Sequence, residues 1–306
     1  MNATIIFSFV SVLAIALGAG LLFAERGRLL RGSTWRLLRA GGWNKLRDKT
    51  FFHAYLYARF PKEYIGYALK NALPKFSPRD RHSAADHYHG KVVPLEFAQA
   101  LVAHDHDIAL HDLEQVIPYP IARNLVLNGS PEVAVFDCPC RAARAHHCEP
   151  LQVCMIVWQP FVDFIVEHHP QTSRRVTTNE AIEILRAEHE RGHVHTAYFK
   201  DAMLDRFYAI CNCCKCCCGG IEAMMKHHVP MIASSGYVAR VNETLCAGCG
   251  TCADACAFDA IRLNGHSNVV WEKCMGCGVC EAQCPNDALE LVRDERKGVP
   301  LDVRAL

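Results

Sequence analysis

Apolar positions run almost unbroken at the start of the chain and then fall into short periodic blocks. Residues 4–24 hold only Thr4, Ser8 and Ser11 as polar side chains, with no charge. At ~1.5 Å per residue such a run spans a ~30 Å hydrocarbon core, so residues 1–24 are expected to form one transmembrane helix. No positive charge precedes the run, as a signal peptide would require. Arg26, Arg28, Arg31, Arg36, Arg39, Lys45, Arg47 and Lys49 follow it, against Glu25 and Asp48. That asymmetry predicts a single-pass protein of the cell inner membrane with its body facing the cytoplasm. Residues 35–73 mix basic side chains with Trp43, Phe51, Phe52, Tyr55, Tyr57, Phe60, Tyr64 and Tyr67. This pattern fits a helix lying on an anionic leaflet, and it equally fits an amphipathic helix packed on the body.

The middle of the chain reads as short helices and strands. Helices are expected over residues 95–103 and 118–127, the second opened by Pro118 and Pro120 and stopped by Asn128-Gly129. Strands are expected over 132–136, 153–158 and 207–210. A helix capped by Thr177/Thr178 should run over 179–189. Its end spells His189-Glu190-Arg191-Gly192-His193, then His195. The first five match the zinc-protease pattern, but Gly192 ends a helix and takes the two histidines off one face. His82, His87, His89, His104, His106 and His111 crowd residues 80–112. His104-Asp105-His106-Asp107 lacks a partner to complete a ligand set and reads as a solvated loop.

The formal charge of +1 predicts no nucleic-acid partner. Eighteen cysteines change the picture. They fall in tight runs, which suits metal ligation in a reducing compartment rather than a disulfide scaffold. Cys246, Cys249, Cys252 and Cys256 have the spacing C-x-x-C-x-x-C-x-x-x-C, and Cys274, Cys277, Cys280 and Cys284 repeat it. Upstream, Cys138, Cys140, Cys148 and Cys154 lie at the ends of two expected strands and the loop between them. Arg141, Arg144, His146 and His147 share that loop. Cys211, Cys213, Cys214, Cys216, Cys217 and Cys218 put six thiols in eight residues, followed by Gly219-Gly220. Neighbouring side chains diverge, so this run should serve two sites, or one site plus free thiols. At least one further iron–sulfur centre is expected from these ten cysteines, with a zinc or copper thiolate store as the rival.

Residues 238–292 resemble the bacterial two-cluster [4Fe–4S] ferredoxin domain, through the duplicated strings CAGCGTCADACAFDAI and CMGCGVCEAQCPNDAL. The resemblance implies two [4Fe–4S] clusters. Cys246, Cys249, Cys252 and Cys284 would hold one, and Cys274, Cys277, Cys280 and Cys256 the other. Ala257 stands where a proline usually follows the fourth cysteine, which alters a turn and no ligand. Gly248, Gly250, Gly276 and Gly278 fit close approach of backbone to sulfide. The region before it resembles a Cys-rich domain found ahead of ferredoxin modules in bacterial iron–sulfur proteins, which implies no activity.

The expected architecture is α+β. It comprises a transmembrane helix at 1–24 and a basic, aromatic juxtamembrane segment at 25–79. A Cys/His-rich metal-binding α/β-type domain follows at 80–237, then the dicluster domain at 238–292 and a tail at 293–306. No dinucleotide fingerprint or P-loop occurs, so no nucleotide cofactor is expected and a redox partner protein should exchange single electrons. The function that follows is a membrane-anchored electron carrier. One alternative is a ferredoxin-fed reductase with a catalytic cluster at the Cys138–Cys154/Cys211–Cys218 site, using Arg141 with His193 or His195 for charge pairing and proton delivery. The other is a metal-handling or cluster-assembly protein.

Overall fold

The alternating blocks between residues 88 and 233 assemble into one sheet. The computed structural model describes residues 11–20, 25, 30–110, 125–127 and 131–305. Its strands, in chain order, are β1 (Tyr88–Val92), β2 (Ile108–Leu110), β3 (Leu125–Leu127), β4 (Val133–Asp137), β5 (Gln152–Val157), β6 (Ser173–Val176), β7 (Val194–Lys200), β8 (Arg206–Cys213) and β9 (Ile232–Ala233). Seven of them form a sheet in the order β6-β4-β5-β8-β7-β1-β9. All neighbours pair antiparallel except β1 and β9. The chain is therefore mixed α/β.

Both faces of this sheet are covered, which is why its strands are apolar nearly throughout. Side chains alternate between the faces along a strand. Helices Leu95–Ala103 and Thr178–Glu190 pack together. The second of these sets His189 against His195 of β7, ring centroids 5.4 Å apart. Helices Thr50–Arg59 and Pro61–Tyr67 lie over the opposite face, where the Tyr57 ring meets Tyr88 and Tyr208. Thr177 caps its helix by accepting from the Glu180 amide at 3.2 Å.

After the sheet come β10 (Tyr237–Val241), β11 (Ile261–Asn264), β12 (His266–Val269) and β13 (Leu289–Arg293). Strands β10 and β13 pair antiparallel, and β11 and β12 form a hairpin about Gly265. The two cysteine runs lie between these strands, each with one short helix, Thr251–Ala255 and Val279–Ala282.

Three expectations are corrected. Among the described residues no helix is long and apolar enough to cross a membrane. Residues 11–20 are helical, while 1–10 and 21–24 lie outside the described residues, as do Arg26 and Arg28. Glu25, directly after the apolar run, is only 1% exposed. It accepts from Thr34 Oγ1 at 2.8 Å and lies 3.0 Å from His168 Nε2, so the chain there is tied into the body. The transmembrane helix, and the single-pass inner-membrane location derived from it, are thereby overturned. Of the two readings of the basic, aromatic segment, the structure fits the one packed on the body. Tyr57, Ala58, Ile65 and Leu69 are buried in the common core. Finally, Leu125–Leu127 is a strand paired with Ile108–Leu110 rather than the end of a helix. The rest of the expected helix, 118–124, lies outside the described residues, as does His111.

Candidate metal centres

Two quartets of cysteines are gathered in the C-terminal segment, and each draws on both runs. One small cavity is lined by Cys246, Cys249, Cys252 and Cys284. Another is lined by Cys256, Cys274, Cys277 and Cys280. Backbone amides point at the sulfurs. Ser267 N donates to Cys246 Sγ (3.4 Å), Ala288 N to Cys284 Sγ (3.2 Å), Ala239 N to Cys274 Sγ (3.4 Å) and Ala260 N to Cys256 Sγ (3.3 Å). Such donors stabilise thiolate charge. The amides of Ser267 and Gly248 bring the Cys246 thiol down to about 7. Burial pushes Cys277 up to about 12, so its sulfur needs a bound cation to become a thiolate near neutrality. Gly248 and Gly276 have positive φ, and a Cβ at either would overlap a carbonyl oxygen, of Gly265 and Tyr237 respectively. Eight sulfurs in two interleaved quartets, with amide donors to them, fit a pair of iron–sulfur clusters.

The ten upstream cysteines separate into two groups. Cys148, Cys214, Cys216 and Cys217 converge, with all four sulfurs within 4.8 Å of one another. Among the described residues they are the only group of three or more metal-ligating side chains that does so. Cys216 and Cys217 are sequence neighbours with sulfurs 3.1 Å apart. The expected divergence of neighbouring thiols therefore fails at this pair and holds at Cys213/Cys214 and Cys217/Cys218. Arg144 Nη2 donates to Cys217 O at 3.3 Å and also pairs with Glu222.

The other six thiols form a chain of contacts. Cys211 touches Cys154, and Cys154 touches Cys138. Cys138 touches Cys140, Cys140 touches Cys218, and Cys218 touches Cys213. Cys213 lies two residues from Cys211 on β8, so the chain of thiols bends back toward its start as a ring. Sheet register builds it. Strand β5 pairs with β8 through Met155↔Ile210, which sets Cys154 beside Cys211 on one face. Cys213 lies two residues along on that same face. Cys138 and Cys140 come from the turn after β4, where Cys138 N donates to Leu151 O at 2.8 Å. Cys218 precedes helix Gly219–His227. A Cβ at Gly219 would stand 3.3 Å from Cys140 Sγ, so a glycine there lets the helix start close in.

Arg141, His193 and His195 occupy the other face. Arg141 is fully buried. Its Nη2 donates to Glu188 Oε2 (2.9 Å) and Asn212 O (3.0 Å), and its Nη1 donates to Pro150 O. His193 Nδ1 donates to the same Glu188 oxygen at 2.7 Å. Burial works against the charged form of Glu188, yet hydrogen bonds from His193 and Arg141 hold its carboxyl below the usual range. Arg141 is thus matched by an internal carboxylate. His195 Nδ1 meets Asn212 Oδ1 at 2.7 Å, and burial with His189 beside it lowers His195 to about 4. His193 follows the helix that carries His189, and no zinc-protease pair forms. His104 packs on Trp158 with ring centroids 5.3 Å apart.

Sequence reasoning missed a chamber of about 260 Å³ on the ring's face of the sheet. Besides the six ring cysteines it is lined by Tyr57, Tyr88, Tyr198, Tyr208 and Lys200. The Tyr57 hydroxyl lies 2.6 Å from that of Tyr208 and 3.2 Å from that of Tyr88. Lys200 Nζ sits over the Tyr57 and Tyr88 rings at 5.1 and 4.8 Å, and burial lowers it to about 8. Period-2 spacing of Tyr198 with Lys200, and of Cys211 with Cys213, was the only available signal.

No curated protein and no solved structure matches the chain. Residues 239–291 match the family model of the 4Fe-4S dicluster domain, so this segment is of the ferredoxin type and an iron–sulfur binder.

Proposed function

We propose that the chain carries single electrons through two [4Fe–4S] clusters and exchanges them with the thiolate sites of its own upstream domain. Cys246, Cys249, Cys252 and Cys284 hold one cluster, and Cys256, Cys274, Cys277 and Cys280 the other. When bound, these clusters supply reversible one-electron chemistry. The protein's part is to stabilise thiolate charge with amide N–H groups, keep water from the buried quartet and fix the distance to the next centre. The observation that carries this reading is the docking of the Cys211–Cys218 run onto the first ferredoxin run. Lys215 Nζ donates to Asp254 O at 3.2 Å and pairs with Asp259 at 3.5 Å, and both aspartates lie between Cys252 and Ala260. Gln283 Nε2 donates to Glu190 O at 2.8 Å and secures the second run. Cys249 is exposed and marks the side on which a redox partner protein can approach.

A second reading, a reductase fed by the dicluster segment, is favoured by one observation: the six-thiol ring forms a wall of a chamber large enough for a small molecule.

Anaerobic purification with iron, sulfide and zinc counted, plus EPR of the reduced protein, tests the carrier reading. About eight irons with matching sulfide should disappear together when Cys249 and Cys277 are both changed to serine. A wild-type protein with no reducible cluster signal and no such iron sinks the reading.

A further inference from the structure

We propose that the ten upstream cysteines build two centres of different nuclearity. Cys148, Cys214, Cys216 and Cys217 hold a single metal ion. Cys138, Cys140, Cys154, Cys211, Cys213 and Cys218 hold a polynuclear iron–sulfide cluster whose free side faces the tyrosine chamber. The proposal deepens the electron-transfer reading and rests on it only for the source of electrons.

Geometry separates the two groups. A tetrahedral ion with metal–sulfur bonds of ~2.3 Å holds its four sulfurs ~3.8 Å apart. Four sulfurs within 4.8 Å of one another satisfy that closely. A cube of irons and sulfides stands between its thiolates and keeps them farther apart. Cys148, Cys214, Cys216 and Cys217 thus share the spacing of a single-ion site. The six ring thiols instead follow one another in pairwise contacts along the chamber wall, a spread-out donor set rather than one that converges on a point. Six donors also exceed what one tetrahedral ion accepts.

The chamber gives the ring a side that protein does not fill. Its lining contains no carboxylate and no guanidinium among the described residues. Its polar groups include the linked hydroxyls of Tyr57, Tyr88 and Tyr208, together with Lys200. Those groups are hydrogen-bond donors in a largely apolar void. The chemistry suits a small molecule with one acceptor atom, held against the cluster and facing a donor array.

The test uses the full-length chain purified without oxygen. In the C148S/C216S variant one metal ion per chain should be lost and sulfide should stay unchanged. In the C138S/C154S variant about four or more irons should be lost with matching sulfide, while the roughly eight of the dicluster segment remain. Retention of those eight shows that the chain has folded. Carbon monoxide added to reduced wild type should perturb only the EPR signal missing from C138S/C154S. The Y57F/Y208F variant touches no thiol, so it should keep every metal and shift that same signal. The proposal is overturned if C138S/C154S keeps its iron and sulfide, if C148S/C216S loses sulfide, or if carbon monoxide and Y57F/Y208F leave the ring-dependent signal unmoved. Failure of the carrier reading shows separately, as absence of the dicluster signals from wild type.

Discussion

Glu188 is the acid on which the buried arrangement behind the ring depends, and Glu188→Gln tests this. Arg141 and Glu188 are both fully buried and meet at 2.9 Å. Glu188 also receives His193 at 2.7 Å and Arg191 at 2.9 Å. Removing one partner of a buried ion pair costs about 3–5 kcal/mol, because the other charge stays behind without compensation. Glutamine keeps one acceptor oxygen, so the lower end, about 3 kcal/mol, is expected. Replacing both residues, as in Arg141→Met/Glu188→Met, removes the stranded charge and should cost less than the two single changes added together.

Anaerobic urea unfolding reads this out as a shift of midpoint at unchanged slope. The pH dependence has a definite sign. The Glu188 carboxyl lies below its usual range in the folded chain. Its stabilising contribution is therefore complete above the unfolded value near 4.5 and is lost as pH falls through the lower folded value. Acid should erode wild type faster than Glu188→Gln. The effect should also reach the metal, since Arg141 donates to the carbonyl of Asn212, between Cys211 and Cys213. A Glu188→Gln protein within ~0.5 kcal/mol of wild type would show that the guanidinium finds other compensation, and the reasoning fails.

Other consequences are as direct. Lys91 is 1% exposed, and burial with Arg293 nearby lowers its amine to about 7. Between that value and the usual one near 10.5 only the unfolded chain holds the proton, so stability rises with pH. Lys91→Met should thus exceed wild type by up to about 4 kcal/mol at pH 7, and the gap in unfolding midpoints should shrink by about pH 10. Gly276→Ala places a Cβ on the Tyr237 carbonyl at positive φ, and it should cost the quartet of Cys256, Cys274, Cys277 and Cys280 about four irons by metal analysis. Lys215→Met removes a half-exposed ion pair and should change stability by less than ~1 kcal/mol. It should nonetheless slow electron exchange between the dicluster segment and the upstream centres in stopped-flow reduction.

The C-terminal segment was legible because its spacing is local. Three cysteines at i, i+3 and i+6 in a tight loop carry their meaning within one short stretch of chain. The division of the upstream cysteines was not. Cys154 and Cys211 are brought together by strand pairing between distant parts of the chain, and no local pattern encodes which strands are neighbours. The placement of the basic, aromatic segment stayed open for the same reason. A basic, aromatic helix has one apolar stripe whether a bilayer or a sheet covers it. What decides is Tyr57 meeting Tyr208, and Glu25 meeting His168, across 151 and 143 positions.

One irregularity in β8 shows how finely that non-local register sets the site. Counting back from Cys211 by strict alternation puts Ala209 and Phe207 on its face and Tyr208 on the other. The ladder does not keep strict alternation. Tyr198 pairs with Ala209, but the next residue, Phe199, pairs with Phe207, so Tyr208 is an extra residue without an opposite number. Such a bulge changes the direction of the side chain it inserts. Tyr208 consequently joins Tyr57 and Tyr88 on the chamber side, together with Cys211 and Cys213. Phe207 remains free to pack on Phe199 behind the sheet, ring centroids 5.6 Å apart. The same strand therefore supplies two thiols and a phenol to one face while Phe207 and Ile210 fill the other. A regular strand would have had to bury the Tyr208 hydroxyl among phenylalanines, where no donor or acceptor array awaits it.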